Sequence, residues 1–260
     1  MCLILFAHRQ RSDLPLVLLA NRDEFLARAT APMAPWAEAP EVVGGRDLQA
    51  GGSWLGVAAD GRWAAVTNVR EGERTRSGGP SRGWLVRDFL QGSESPEIFI
   101  ARNAPQFADY AGFNLLLGDG RDLWYVGNRE GPSRLLPPGV YGLSNGRLDT
   151  PWPKVERGKA ALRALLEEPV PVLEQGFRLL ADRETFPDHH LPATGIPLEW
   201  ERALSAIFIV APTYGTRCST ILLGTAGGEW LLTERSFAGA PECWSQRSYR
   251  LTVGESSLDY

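Results

Sequence analysis

The residues best equipped for chemistry lie near the start of the chain. If Met1 is removed, Cys2 carries a thiol and a free α-amine together. In model compounds the thiol titrates near about 8.5 and the amine near about 7.7–8.0. The amine is then partly neutral at physiological pH and can take the thiol proton itself. No histidine is needed as base, which is the logic of catalysis by an N-terminal nucleophile. The competing reading is that Cys2 is a small hydrophobe opening the first strand, since free cysteines are usually buried and inert.

Asn21-Arg22-Asp23-Glu24 follows the second apolar run. In a hairpin its end lies beside the start of the first strand, next to Cys2. Arg22 could lower a thiol pKa through its charge, and Asp23 could orient the amine. The alternative is a solvated turn with an Arg–carboxylate pair. Asn68 and Asn145 carry amides able to donate to an oxyanion or a bound carbonyl. Against this, Asn145-Gly146 is a favoured hairpin turn, and Asn68 could bond its own backbone as a turn residue. Arg217 offers bidentate recognition of carboxylate or phosphate, or an ordinary surface ion pair. Trp36 and Trp54 lie in or beside loops and could line an amphipathic pocket, while the other tryptophans read as core.

These residues need a frame. Leu3 to His8 and Leu16 to Asn21 read as one hairpin, and Trp54 to Ala59 with Trp63 to Val69 as another, around the Asp60-Gly61 turn signal. Phe113 to Leu117 and Leu123 to Val126 predict a third. Val140 to Ser144, Ala206 to Ala211, Ser219 to Gly224 and Trp230 to Glu234 are further strand candidates. Helical spacing joins Trp84, Leu85, Phe89 and Leu90. It also joins Ile98, Phe99, Ala101 and Arg102 after the Ser95-Pro96 cap. Two more helices are expected on Val155, Leu162, Leu165 and Leu166 and on Val172, Leu173, Phe177 and Leu180. Hairpin groups with helix pairs predict an α+β fold and suggest two stacked antiparallel sheets with helices outside; the detail of a four-layer αββα sandwich leans on the resemblance given below. The stretches Ala31 to Pro40, Gly72 to Gly79 and Pro187 to Pro197 read as loops within one domain spanning 1–260.

Composition narrows the partners. Net charge is −4 and the arginines are scattered among acids, so no basic face that tracks phosphates is expected and nucleic acid is set aside. The apolar start is too short for a secretory signal. No apolar run reaches a membrane span. Three widely spaced cysteines suit a reducing cytoplasm. His189-His190 would point apart in extended chain, and no zinc-type spacing occurs, so no metal site is expected.

Several of these stretches occur in a fixed order. Met1-Cys2, Ala20 to Glu24, Gly51 to Gly56 and Thr67-Asn68-Val69-Arg70 are followed by Leu143 to Gly146, Thr150 to Lys154, Ile207-Phe208-Ile209 and Tyr214 to Thr220. Together they resemble the NRDE-motif family, also called the transport and Golgi organisation protein 2 family. That family is similar to N-terminal-nucleophile hydrolases, including cysteine amidases, and so implies the αββα fold. The positions matching the amidase pattern would be Cys2, Arg22, Asp23, Asn68 or Asn145, and Arg217. The amidases separate their Arg and Asp, whereas Arg22 and Asp23 are adjacent. Family association implies trafficking of haem or dealings with acyl-CoA. The expectation is therefore cytoplasmic binding and trafficking of an amphipathic metabolite, haem or an acyl-CoA. Asn21, Glu24 and Trp54 would be among its contacts, and no cofactor is required for catalysis. The alternatives are a cysteine amidohydrolase cleaving a linear C–N bond with Cys2 as nucleophile, and a scaffold with a vestigial site.

Overall fold

The computed structural model describes residues 2–72, 78–167, 172–238, 241–253 and 255–259, with the backbone alone at Cys2 and 255–259. Part of the expected 72–79 loop thus lies outside the described residues.

Strands β1 (Cys2–His8) and β2 (Leu16–Phe25) form the predicted hairpin, with Cys2 opposite Arg22 and His8 opposite Leu16. Ile4, Phe6, Leu18 and Ala20 enter one core, and Leu3, Leu5, Ala7, Val17 and Leu19 another. A strand covered on both faces has no polar side to show, which is why these runs are nearly continuously apolar. β2 extends through Phe25, so Asn21 to Glu24 are strand residues and not a solvated turn.

The remaining strands are β3 (Thr30–Trp36), β4 (Ala39–Asp47), β5 (Leu55–Ala58), β6 (Trp63–Asn68), β7 (Phe113–Gly118), β8 (Leu123–Gly127), β9 (Arg134–Leu135), β10 (Gly139–Leu143), β11 (Tyr214–Gly224), β12 (Glu229–Phe237), β13 (Trp244–Thr252) and β14 (Glu255–Asp259). One antiparallel sheet runs β10-β1-β2-β11-β12-β13-β14, the other β3-β4-β5-β6-β7-β8-β9. The two share one apolar interface that includes Phe6, Leu18, Trp63, Tyr125 and Leu222.

Helices α1 (Gly83–Gln91) and α2 (Pro96–Asn103) cover the second sheet through Leu85, Phe89, Leu90, Phe99 and Ile100. Ser95 caps α2 by accepting from the Ile98 N–H, as expected, but Ile98 itself points outward and Ile100 packs instead. Helices α3 (Pro153–Glu167) and α4 (Val172–Leu180) cover the first sheet through Val155, Leu162, Phe177 and Leu180. The result is the four-layer αββα sandwich. A short helix α5 (Leu198–Ala203) precedes β11. No described helix is long and apolar enough to cross a membrane.

Three local expectations are corrected. Residues 31–40 are mostly strand, not loop. β3 is a sheet edge, where Pro32 and Pro35 forfeit no interior ladder bond. Residues 206–211 form turns closed by one bridge, Val210 to Gly215, because Phe208 N–H is used by the Asp182 carbonyl. His189 and His190 lie on a 3-10 turn, not an extended chain, with ring centroids 4.2 Å apart.

Candidate functional site

The start of β1 and the ends of β2, β4 and β6 meet at one end of the sandwich. Two cavities open there. One, of about 890 Å³, is walled by Arg22, Arg28, Asp47, Trp54, Arg82 and Trp84. The other, of about 430 Å³, is lined by Phe25, Asn145, Ile196, Pro197, Trp200 and Tyr214. Glu24, Asn68 and Arg82 border both, so the two read as a charged lobe and an apolar lobe of one cleft.

Alternation along β2 divides the motif. Arg22 is on the inter-sheet side with Ala20. It is 5 % exposed, donates to Thr30 Oγ1 at 3.2 Å, and lies 4.3 Å above the Trp54 ring. Its contact with Glu24 is long, 3.9 Å, so the guanidinium keeps donors directed at the charged lobe. Trp54 is held flat from behind, since a Cβ at Gly45 would meet its ring at 2.1 Å.

Asn21 and Asp23 face the helix layer. The Asn21 amide donates to the Leu180 and Ile207 carbonyls at 2.8 and 2.9 Å and accepts from Ser219 Oγ at 2.6 Å. Its amide fastens that layer and its carbonyl holds neighbouring β11, so the expected ligand contact at Asn21 is corrected to framework. Asp23 accepts from Thr216 Oγ1 at 2.7 Å, and its carbonyl accepts from the Tyr214 hydroxyl at 2.9 Å. Burial pushes its carboxyl up to about 6, against the pull of Lys154, Thr216 and Arg22.

Glu24 lies at the seam. It accepts from its neighbour's N–H and pairs with Arg28 at 3.7 Å. Arg28 also grips Asp47 at 2.8 Å. Burial raises the Asp47 carboxyl, but Arg28 and the Ala50 and Gln49 N–H groups outweigh it and hold Asp47 below its usual range.

The two asparagines act in series. Asn145 is buried in an irregular bend after β10, not in a hairpin turn, and its amide donates to the Asn68 carbonyl at 2.7 Å. The Asn145 carbonyl accepts from Arg70 N–H at 2.8 Å. These two bonds fix the backbone of 68–70. The Asn68 side chain has no hydrogen bond among the described residues and faces both lobes. Of the two, Asn68 is the one placed to meet a ligand.

Arg217 stands apart. A β-bulge between Thr216 and Cys218 leaves it unopposed on β2. It donates to the Phe25, Leu26 and Arg28 carbonyls at 3.0–3.2 Å and borders neither lobe. The expectation that it binds a ligand is corrected: it ties down the chain leaving β2. Trp36 is buried and donates to the Gly44 carbonyl, and it borders neither lobe of the cleft. Cys218 is buried in the inter-sheet core, where burial raises its thiol well above the ordinary value.

Sequence reasoning passed over the cleft's far walls. Arg82, Trp84 and Ser53 belong to a close backbone contact: a Cβ on Gly52 would meet Gly83 C at 2.5 Å, and Ser53 N–H donates to the Gly83 carbonyl. The Gly51-Gly52-Ser53-Trp54 stretch was the available signal. Arg70 pairs with Glu201 at 2.6 Å, both 4 % exposed, and Glu201 also accepts from Thr194. This pair fastens α5 to the strand end after β6. The Thr67-Asn68-Val69-Arg70 stretch held that signal, but the partner lies far along the chain.

Several known proteins resemble this chain. The family model described as Transport and Golgi organisation 2 matches residues 1–239. The bovine Transport and Golgi organization protein 2 homolog is 34 % identical over 97 % of this chain and 99 % of its own length. The human homolog is 32 % identical, also over 97 % and 99 %. Among solved structures, a mutant conjugated bile acid hydrolase from Clostridium perfringens aligns over 100 % of this chain and 91 % of its own, with 9 % identity and a TM-score of 0.48.

Proposed function

This chain belongs to the transport and Golgi organisation 2 family, and from that premise we propose that its cleft binds an amphipathic anionic metabolite, haem or an acyl-CoA, for trafficking in the cytoplasm. One observation carries the reading: a lobe bearing Arg22, Arg28 and Arg82 meets a lobe of Phe25, Ile196, Pro197 and Trp200 at Glu24 and Asn68. Propionates or phosphates suit the guanidinium forks, and an apolar body suits the second lobe. Arg22 is the anchor, because its stack on Trp54 and its bond to Thr30 fix it before any ligand arrives. Titration with palmitoyl-CoA and with haem tests the proposal. Saturable binding that weakens in Arg22→Gln supports it. No acyl-CoA affinity together with no Soret change sinks it.

A second reading is amide hydrolysis by Cys2. It is favoured by the register that sets Cys2 opposite Arg22, beside a buried carboxyl at Asp23 with its proton affinity raised. It requires loss of Met1. Intact mass of the purified protein decides it, since retained Met1 defeats a mechanism in which the α-amine is the base.

A further inference from the structure

The opposite end of the sandwich holds a separate cavity of about 320 Å³. Four hairpin turns, two from each sheet, converge on it. They are Arg9 between β1 and β2, Gly61 between β5 and β6, Gly120 between β7 and β8, and Gly228 between β11 and β12, all with positive φ. At Gly61, φ is +90°, and a Cβ would sit 3.3 Å from the Trp230 indole nitrogen, so glycine keeps this rim open.

The walls come from both sheets: His8 ends β1, Trp63 starts β6 and Trp230 lies near the start of β12. All three are more than nine-tenths buried, with His8 at 8 % exposure, Trp63 at 2 % and Trp230 at 5 %. Among the described residues none of their ring nitrogens has a hydrogen-bond partner, although each side chain borders the cavity. Their nitrogens open onto the cavity rather than being sealed in the core, so a ligand there can reach them. Burial, then the neighbouring Arg9 charge, holds the imidazole below its usual value despite Asp122, so His8 is neutral, with one donor and one acceptor nitrogen. The indoles can only donate.

Charge at the rim balances. Arg9 and Arg121 stand against Asp119 and Asp122, while Asp60 is paired with Arg62 at 2.7 Å. Asp119 is tied to the backbone N–H groups of Arg121 and Asp122. Nothing there selects strongly for a cation or an anion.

We infer that this cavity is a second binding site, for a compact, neutral, carboxamide-bearing aromatic or heteroaromatic ligand. Its carbonyl would accept from the indole N–H groups of Trp63 and Trp230, its N–H would donate to the acceptor nitrogen of His8, and its ring would lie between the two indoles. The volume, at the low end for small-molecule sites, fits a ligand of one or two rings. The site is independent of the cleft at the other end and does not rest on the function proposed for it.

The test is a titration of the full-length protein with benzamide, benzoate and benzylamine as probes, read in the indole Nε1–H signals by two-dimensional NMR. Benzamide is expected to shift the Trp63 and Trp230 signals saturably and to bind more tightly than either charged probe. His8→Leu and Trp230→Phe are each expected to weaken it about fivefold, the effect of one lost hydrogen bond. Trp230→Phe keeps the ring, so it serves should His8→Leu fail to fold. Tighter binding of benzoate or benzylamine overturns the assignment of a neutral ligand. No indole shift with any probe, or unchanged affinity in Trp230→Phe, overturns the site.

Discussion

The two ends of the sandwich solve the burial of polar side chains in opposite ways. At the cleft end, arginine and carboxylate side chains are locked to one another or to a hydroxyl: Arg28 to Asp47, Arg70 to Glu201, Asp23 to Thr216. At the turn end, the His8, Trp63 and Trp230 side chains are largely buried, but their ring nitrogens open onto a cavity and have nothing of the described chain to bond. Burial alone therefore does not mark a site. What differs is whether the buried group's capacity is already used. In the cleft this test separates Arg22 and Asn68, which keep polar atoms facing open space, from Asn21 and Arg217, whose bonds go to the frame.

Breaking the cleft's lock has the largest expected effect. Arg70→Ala leaves Glu201 buried without its cation and should cost about 3–5 kcal/mol, measured by urea unfolding. No ion pair with both partners buried exists among the residues named at the turn end, so His8→Leu should change stability much less, and equal losses would erase the contrast.

The next effect is in pH dependence. The Asp23 carboxyl is pushed up to about 6 from an ordinary 3.8. Between those values the unfolded chain ionises while the folded one holds its proton, so stability falls as pH rises from about 4 to about 6. At roughly 1.4 kcal/mol for each tenfold gain in proton affinity, the full cost approaches about 3 kcal/mol. Asp23→Asn should flatten this slope, as followed by denaturation midpoints across that range. An unchanged slope would show that Asp23 is not the group responsible.

Crowding the platform under Arg22 is smaller. Gly45→Ala drives a methyl into the Trp54 ring and should cost about 1–3 kcal/mol through repacking. It should also weaken palmitoyl-CoA binding, because Trp54 can no longer support Arg22. Smallest is Arg22→Lys. It keeps the charge but loses the flat stack and fork, and should weaken ligand binding by about 0.5–1 kcal/mol, read by calorimetry. An equal loss for Arg217→Lys would count against the division between ligand-facing and framework arginines.

Much of the frame was legible because it rests on local pattern. The hairpin of Leu3 to His8 and Leu16 to Asn21, the Asp60-Gly61 turn and the apolar stripes of α3 and α4 follow from period and turn chemistry within a few residues. β3 and β4 were not legible, since Pro32, Pro35 and a run of small residues lower strand propensity. Their pairing comes from the sheet beside them.

Residue pattern was enough for an α+β fold and for the placing of charge near the chain's start, and motifs in order were enough for membership of the family, whose resemblance supplied the αββα layering. The part each charged or amide group plays came from the folded chain. The alternation of β2 sends Arg22 into the cleft and Asn21 and Asp23 into the helix layer. A bulge turns Arg217 out to the chain leaving β2. Partners more than a hundred residues away, Glu201 for Arg70 and Ser219 for Asn21, settle which groups are already occupied. Side-chain type is a local property, but an unused hydrogen bond depends on everything the fold has brought near it.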